Sequence, residues 1–344
     1  MASARRSTTA WSVLIALVLG GCSDRVKLDG LTVITKFSAP VCEGTYAKLE
    51  ARLRWLETIT GVPKASRPIR FFWSPLYEIE RCSVFGACTV QNRKIYGDLY
   101  AFSHELVHAH LDRYDIQRPW LAEGLATVLA DRAGGPPTWF YSPEELLQAQ
   151  TPNQVHYAAA GNFVAFLRDR YGMDRVMRLY ALSKDANLGE AKAAFADAFG
   201  ETFDAVAEHY IVNYVERRVG SLDCDYPDMQ PVGDGWQRTF YAACDDPDSL
   251  GPFFGLAVTD TPYLTTSAVF ETDHPGDYQL SMVGDGDIYV TVTSCDLSAD
   301  LDASGPDVEM PLFLAAGRHR VTLVVDLDAP QDVDVAIWPQ VQAP

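Results

Sequence analysis

The stretch His104-Glu105-Leu106-Val107-His108 constrains this chain more than any other. Residues four apart on an α-helix share one face about one turn apart, so a helix here brings two imidazoles to a single point. No Pro or Gly interrupts the stretch, and Leu106, Val107 and Leu111 offer apolar side chains to a core. Two imidazoles and a carboxylate form one of the donor sets that hold catalytic zinc while leaving a fourth position open. Glu105 follows the first histidine directly. From that place the carboxylate of an H-E-x-x-H site takes the proton of the attacking water, so hydrolysis is the leading expectation.

A carboxylate donor has to come from elsewhere in the chain. Pro119 suits a first helical turn, and a second helix is expected to run from it to about Arg132, stopped by Gly134-Gly135-Pro136-Pro137. Glu123 lies one turn in, among Trp120, Leu121, Leu125 and Val128. A carboxylate in such company is costly unless it is paired or bound to a cation. His110, Asp112 and Asp115 are rivals, each too close along the helix or its end to fold back comfortably. A metzincin site is excluded, because it would need Gly and His where Leu111 and Tyr114 stand.

The chain begins with a segment set apart from the fold. Arg5 and Arg6 precede an apolar run from Ala10 to Leu19, and Gly20-Gly21 lead to Cys22. The run is too short to span a bilayer as a stable helix. The order resembles a bacterial lipoprotein signal, which implies removal of residues 1–21, lipid attachment at Cys22 and a place in the cell envelope. The remaining chain holds 26 basic and 46 acidic residues, a formal charge of −20. Residues 22–220 carry 23 Lys/Arg and 24 Asp/Glu, whereas 221–344 carry 3 arginines, no lysine and 22 acids. That shift marks a domain boundary, and the acidic half disfavours nucleic acid as a partner.

Six further cysteines, Cys42, Cys82, Cys88, Cys224, Cys244 and Cys295, suggest up to three disulfides in an exported protein. Cys82 and Cys88 are the best local pair. Tyr46, Leu49, Leu53 and Leu56 mark a helix ended by Gly61, with strands at 31–37 and 69–73 on either side of it. Thr89 to Tyr96 reads as a strand or hairpin arm, and an edge there would suit an extended peptide. Ser142-Pro143-Glu144-Glu145 has the capping-box pattern. The aromatics Trp139, Phe140 and Tyr141 before it are read as packing residues rather than a cleft lining. Asp174 and Thr202 are expected as helix N-caps. From Val232 onward, short alternating runs separated by Gly, Asp and Pro indicate an antiparallel sandwich. Asp285, Asp287, Asp296, Asp300 and Asp302 match no calcium-loop spacing and are read as a solvated acidic face.

His104 to His108 followed by Trp120-Leu121-Ala122-Glu123-Gly124-Leu125-Ala126 resembles the gluzincin zinc metallopeptidases, specifically the peptidase MA-like proteins. The similarity extends through His156-Tyr157-Ala158-Ala159-Ala160-Gly161-Asn162-Phe163-Val164 and covers roughly residues 70–218, with Asn162 where the family commonly has Ser. It implies Zn²⁺ held by His104, His108 and Glu123, with Glu105 as general base. It also implies a tyrosine, here Tyr157, that steadies the developing oxyanion, a role neighbouring His156 could fill instead. Thermolysin-like members place an Asp where Thr127 stands, so whatever orients the histidines must lie elsewhere.

The expected fold class is therefore α+β: a gluzincin-like, mainly helical domain with a small sheet over 22–220, and an antiparallel β-sandwich over 221–344. The expected activity is zinc-dependent hydrolysis of peptide bonds in the envelope or outside the cell. No G-x-M-E-N exopeptidase motif precedes the metal helix, which favours an endopeptidase. The competing class is a surface binding or adhesion lipoprotein whose helical domain is metal-stabilised but not catalytic.

Overall fold

The computed structural model describes residues 24–75, 82, 87–90, 93–111, 118–130, 141–183, 187–213, 224–254, 261–286, 288–295, 300–304 and 307–340, with only the backbone at 300–304 and 307. Cys22, the signal segment and the expected boundary near residue 220 lie outside them. So do Asp112, Tyr114, Asp115, Trp139, Phe140, Asp287 and Asp296.

The molecule is a mixture of α and β structure with eight helices among the described residues. Its N-terminal sheet has the order β1 (Arg25–Lys27), β2 (Leu31–Thr35), β3 (Ile69–Trp73), β5 (Lys94–Gly97) and β4 (Cys88–Val90). The three central strands are parallel, and both edge strands run antiparallel to their neighbours. Helix α1 (Glu43–Thr60) makes the crossover from β2 to β3. It buries Leu49, Leu53 and Leu56 and ends at Gly61, whose φ of 64° is a backbone conformation that glycine adopts at no steric cost. The stretch expected as one arm from Thr89 to Tyr96 is a hairpin of β4 and β5 with Arg93 near its turn.

Helices α2 (Leu99–Leu111), α3 (Pro119–Leu129), α4 (Pro143–Gln148) and α5 (Tyr157–Tyr171) follow, then α6 (Met173–Leu182), α7 (Leu188–Phe199) and α8 (Phe203–Val212). Asp98 starts α2: its Oδ1 accepts from the Ala101 amide at 2.8 Å. Both halves of the Ser142 capping box are present at α4. Thr202 caps α8, accepting from the Ala205 amide. Asp174, by contrast, lies inside the first turn of α6, because Gly172 both ends α5 and begins α6. One core joins the sheet to these helices, with Trp73, Trp120, Phe71, Phe102, Phe163 and Phe195 among its largest buried side chains.

The C-terminal residues build two five-stranded antiparallel sheets. One has the order β13 (Asp307–Leu314), β10 (Gly276–Val283), β15 (Gln331–Pro339), β7 (Gly235–Ala242), β6 (Gln230–Val232). The other has β12 (Asp300–Ser304), β11 (Tyr289–Ser294), β14 (Gly317–Asp326), β9 (Tyr263–Thr272), β8 (Leu250–Phe253). Alternate residues such as Val321, Leu323 and Val325, and Val333, Val335 and Ile337, fill a second core between them, as the period of two requires. Three disulfides are present: Cys82–Cys88, Cys224–Cys295 and Cys42–Cys244. The last ties the start of α1 to the sandwich.

Candidate metal centre

Two helices and a hairpin bring the site together. Helix α2 packs on the sheet through Phe102, whose ring meets Phe71, and buries Leu106 on the same face, which leaves His104 and His108 on the other side. The hairpin fastens this helix in register. Thr89 Oγ1 donates to the Glu105 carbonyl at 2.8 Å, and Arg93 donates to the carbonyls of Ala109 and His110 at 2.8 and 2.9 Å. Those last carbonyls lack partners within their own helix, so a guanidinium there satisfies them and complements the helix dipole.

Helix α3 supplies Glu123. It lies against α5 at a distance only glycine allows. A Cβ added at Gly124 would come within 2.7 Å of the Ala160 carbonyl oxygen, and one at Gly161 within 2.7 Å of the Thr127 methyl. Gly124→Ala is therefore expected to force the helices apart, destabilising the fold by about 1–3 kcal/mol, and to move the adjacent Glu123. Urea denaturation measures the first effect and zinc titration the second; unchanged values for both would show that the contact is not limiting.

His104 Nε2 is 3.1 Å from Glu123 Oε2, His108 Nε2 is 3.3 Å from the same oxygen, and the two Nε2 atoms are 3.2 Å apart. An N–H group carries one proton along one direction, so this closed triangle cannot be satisfied by linear hydrogen bonds on all three edges. A small divalent cation satisfies it: donors about 2.0–2.1 Å from a tetrahedral ion lie about 3.3–3.4 Å apart. The three side chains are 12 %, 23 % and 9 % exposed in the order His104, His108, Glu123, largely withdrawn from water yet reachable. They are the one such His/Cys/Asp/Glu group among the described residues. The buried His-His-Glu triad can thus hold a metal ion.

The electrostatics agree. Burial works to raise the Glu123 pKa, but hydrogen bonds from His104 and His108 and their charges bring it down to about 2, so the donor is anionic at neutral pH. Burial would lower the His108 pKa, yet the hydrogen bond to Glu123 and the charges of Glu123 and Glu105 outweigh it and the net shift is upward.

Glu105 is half-buried on α2, and its charge acts on both His108 and Tyr157. Tyr157, the first residue of α5, lies beside His104 with ring centroids 5.8 Å apart and is 43 % exposed. Burial, then the charges of Glu123 and Glu105, push its pKa up to about 12, so the phenol keeps its proton. His156 is occupied differently: its Nδ1 accepts from the Ala159 amide as the cap of α5, and its ring stacks on Tyr141 at 4.6 Å. Of the three aromatics before α4, Tyr141 is thus a packing partner of the α5 cap.

The rival His110 points away from the triad, with Nε2 3.0 Å from Thr60 Oγ1 on α1. Thr127 is buried, its Oγ1 without a hydrogen-bond partner among the described residues and its methyl against Gly161. Position 127 therefore packs α3 on α5 rather than orienting a histidine. The contacts of Thr89 and Arg93 with α2, and the packing roles of Gly124 and Gly161 inside the two motifs, do not follow from motif spacing. The two glycines inside helical runs were the legible signal, since a glycine there marks close packing.

No protein-family profile matches the chain, and no curated protein matches it. Among solved structures, the Legionella pneumophila aminopeptidase A in complex with aspartic acid is similar over 82 % of this chain and 34 % of its own, at 12 % identity and a TM-score of 0.36. The Podospora anserina GH26-CBM35 β-(1,4)-mannanase is similar over 32 % of this chain and 29 % of its own, at 13 % identity and a TM-score of 0.20. A family 35 carbohydrate binding module from Clostridium thermocellum matches 30 % of this chain and 92 % of its own, at 10 % identity and a TM-score of 0.18. The chain spans about a third or less of the two enzymes' lengths. With TM-scores of 0.36 or less, none of these likenesses bears on function.

Proposed function

We propose that the chain is a zinc-dependent peptidase of the gluzincin type, an endopeptidase acting in the bacterial cell envelope and anchored there through lipid on Cys22. One observation carries the reading: two imidazoles and an anionic carboxylate converge to edges of 3.1–3.3 Å, with a second carboxylate on the residue after the first histidine. Mixed imidazole and carboxylate donors suit zinc among the available divalent metals. When bound, zinc supplies a Lewis-acid charge that polarises a peptide carbonyl and makes water more acidic.

The chain's own groups do the rest. Glu105 takes the proton of the attacking water on a carboxylate oxygen and hands it to the departing amine nitrogen. Tyr157, protonated and partly exposed at the rim, donates its hydroxyl hydrogen to the carbonyl oxygen as charge builds there, an interaction strongest in the transition state. Strand β4, fastened beside Glu105 through Thr89, is an edge strand among the described residues, a place that suits an extended peptide. Three disulfides accord with an oxidising compartment outside the cytoplasm.

Incubating the purified protein with an unfolded protein substrate, with and without chelator, and sequencing the fragments by mass spectrometry tests the activity. Cleavage lost on chelation and restored by zinc is expected; thermal stabilisation by zinc with no cleavage of any peptide would favour the binding-protein class. Tyr157→Phe is expected to lower kcat by about 10²-fold with little change in KM, as for the loss of one oxyanion donor. A rise in KM alone would make Tyr157 a binding residue.

A further inference from the structure

Helix α1 links the sandwich to both helices that carry the triad. Its first turn is held by the sandwich. The Cys42 amide donates to the Gly251 carbonyl at 3.1 Å and the Glu43 amide to the Cys244 carbonyl at 2.9 Å, while the Cys42–Cys244 disulfide closes the same junction. Thr45 Oγ1 exchanges hydrogen bonds with the Gly251 carbonyl and amide at 3.0 and 2.9 Å, in a buried setting. Gly44 approaches so closely that a Cβ there would fall 2.3 Å from the Pro247 carbonyl oxygen. The first amides of a helix have no partners in the preceding turn, and here a sandwich carbonyl takes that of Glu43. Cys42 itself is packed in the sandwich core.

Farther along, the same helix touches both ligand-bearing helices. The Arg52 guanidinium, 4 % exposed and lying over the Trp55 ring at 4.5 Å, donates to the carbonyl of Leu129, the last residue of α3. A buried cation at that end complements the dipole of the helix that carries Glu123. Thr60, the last residue of α1, meets His110 of α2, two residues beyond His108.

We infer that the C-terminal sandwich is a positioning element of the metal centre, acting through α1, with Thr45 and Arg52 as its positioning residues. The inference rests on the reading of His104, His108 and Glu123 as a metal site. A sandwich that merely tethered the protein or bound a ligand would need only a surface joint; this one is hydrogen-bonded and disulfide-linked to the first turn of a helix that touches both α2 and α3. Groups hydrogen-bonded to metal ligands change affinity by about 10–100-fold when removed, and supports acting one step farther out are expected at the low end of that range.

The test uses full-length variants Thr45→Val, Arg52→Met, Arg52→Lys and Cys42→Ser/Cys244→Ser. Zinc dissociation constants come from competition with a chromophoric chelator, and ligand arrangement from the visible absorption of the cobalt(II) form. Thr45→Val, Arg52→Met and the cysteine pair are expected to weaken zinc binding by about tenfold and to alter the cobalt spectrum, with Arg52→Lys recovering part of both. Val335→Ala, in the sandwich core away from α1, should lower Tm while leaving both readouts at wild-type values. Thr45→Val keeps every cysteine, so it carries the test if the disulfide is needed for folding. Variants with wild-type zinc affinity and cobalt spectra would overturn the inference alone. A wild-type protein that takes up neither metal would overturn the metal-site reading and this inference with it.

Discussion

Glu105→Gln is expected to keep zinc at one ion per chain and to lose peptide cleavage, with kcat falling by about 10²–10⁴-fold, the range supplied by a positioned general base. The substitution preserves shape and hydrogen-bonding atoms but removes the basic oxygen, so it separates proton transfer from metal binding. The Glu105 charge also contributes to the raised pKa values of His108 and Tyr157, and its removal should shift both downward. Metal analysis beside steady-state kinetics checks the main effect. Cleavage at the wild-type rate with zinc still bound would take Glu105 out of the mechanism.

Glu123→Ala should act one step earlier, at the metal. Two imidazoles remain, and the affinity for zinc should fall by at least about a hundredfold, because the one anionic donor is gone. The consequence appears in stability: a metal present at a hundred times its dissociation constant stabilises the folded state by about 2.7 kcal/mol, and the variant forfeits that amount at the same zinc concentration. Without metal the change should be small. Glu123 is 9 % exposed and ionised, so its hydrogen bonds from two histidines are offset by the cost of keeping the charge from water. Scanning calorimetry with and without zinc separates the two terms. A variant that zinc stabilises as much as wild type would show that Glu123 is not a ligand.

What was legible in the chain was local. His104 and His108 are four apart, so one helical turn aligns them whatever the rest of the fold does. Glu123 stood out because a carboxylate among Trp120, Leu121 and Leu125 needs a partner, and the capping box at Ser142 and the Gly61 terminus follow from side-chain chemistry within four residues. Strands β9, β10, β11, β14 and β15 announced themselves by alternation, whereas the internal strand β7 did not.

What escaped depends on distant contacts. Cys42 pairs with Cys244 across 202 residues, and six cysteines permit 15 pairings. Strand β13 was hidden by Pro311, which an edge strand tolerates, and β8 by Gly251-Pro252. Asp174 looked like a cap, but Gly172 took that place because its φ of 86° turns the chain directly from one helix into the next. The fit of α3 against α5 turns on what Gly124 and Gly161 face, which no spacing along the chain specifies.

X-ray absorption at the zinc edge, on protein purified without chelator, tests the central claim most directly. The account predicts one zinc per chain with nitrogen and oxygen donors only, at about 2.0–2.1 Å, and the outer-sphere signature of two imidazoles. In Glu123→Ala the coordination should be lost or rebuilt with solvent. Zinc absent from the wild-type protein, or held by sulfur at about 2.3 Å, would contradict it.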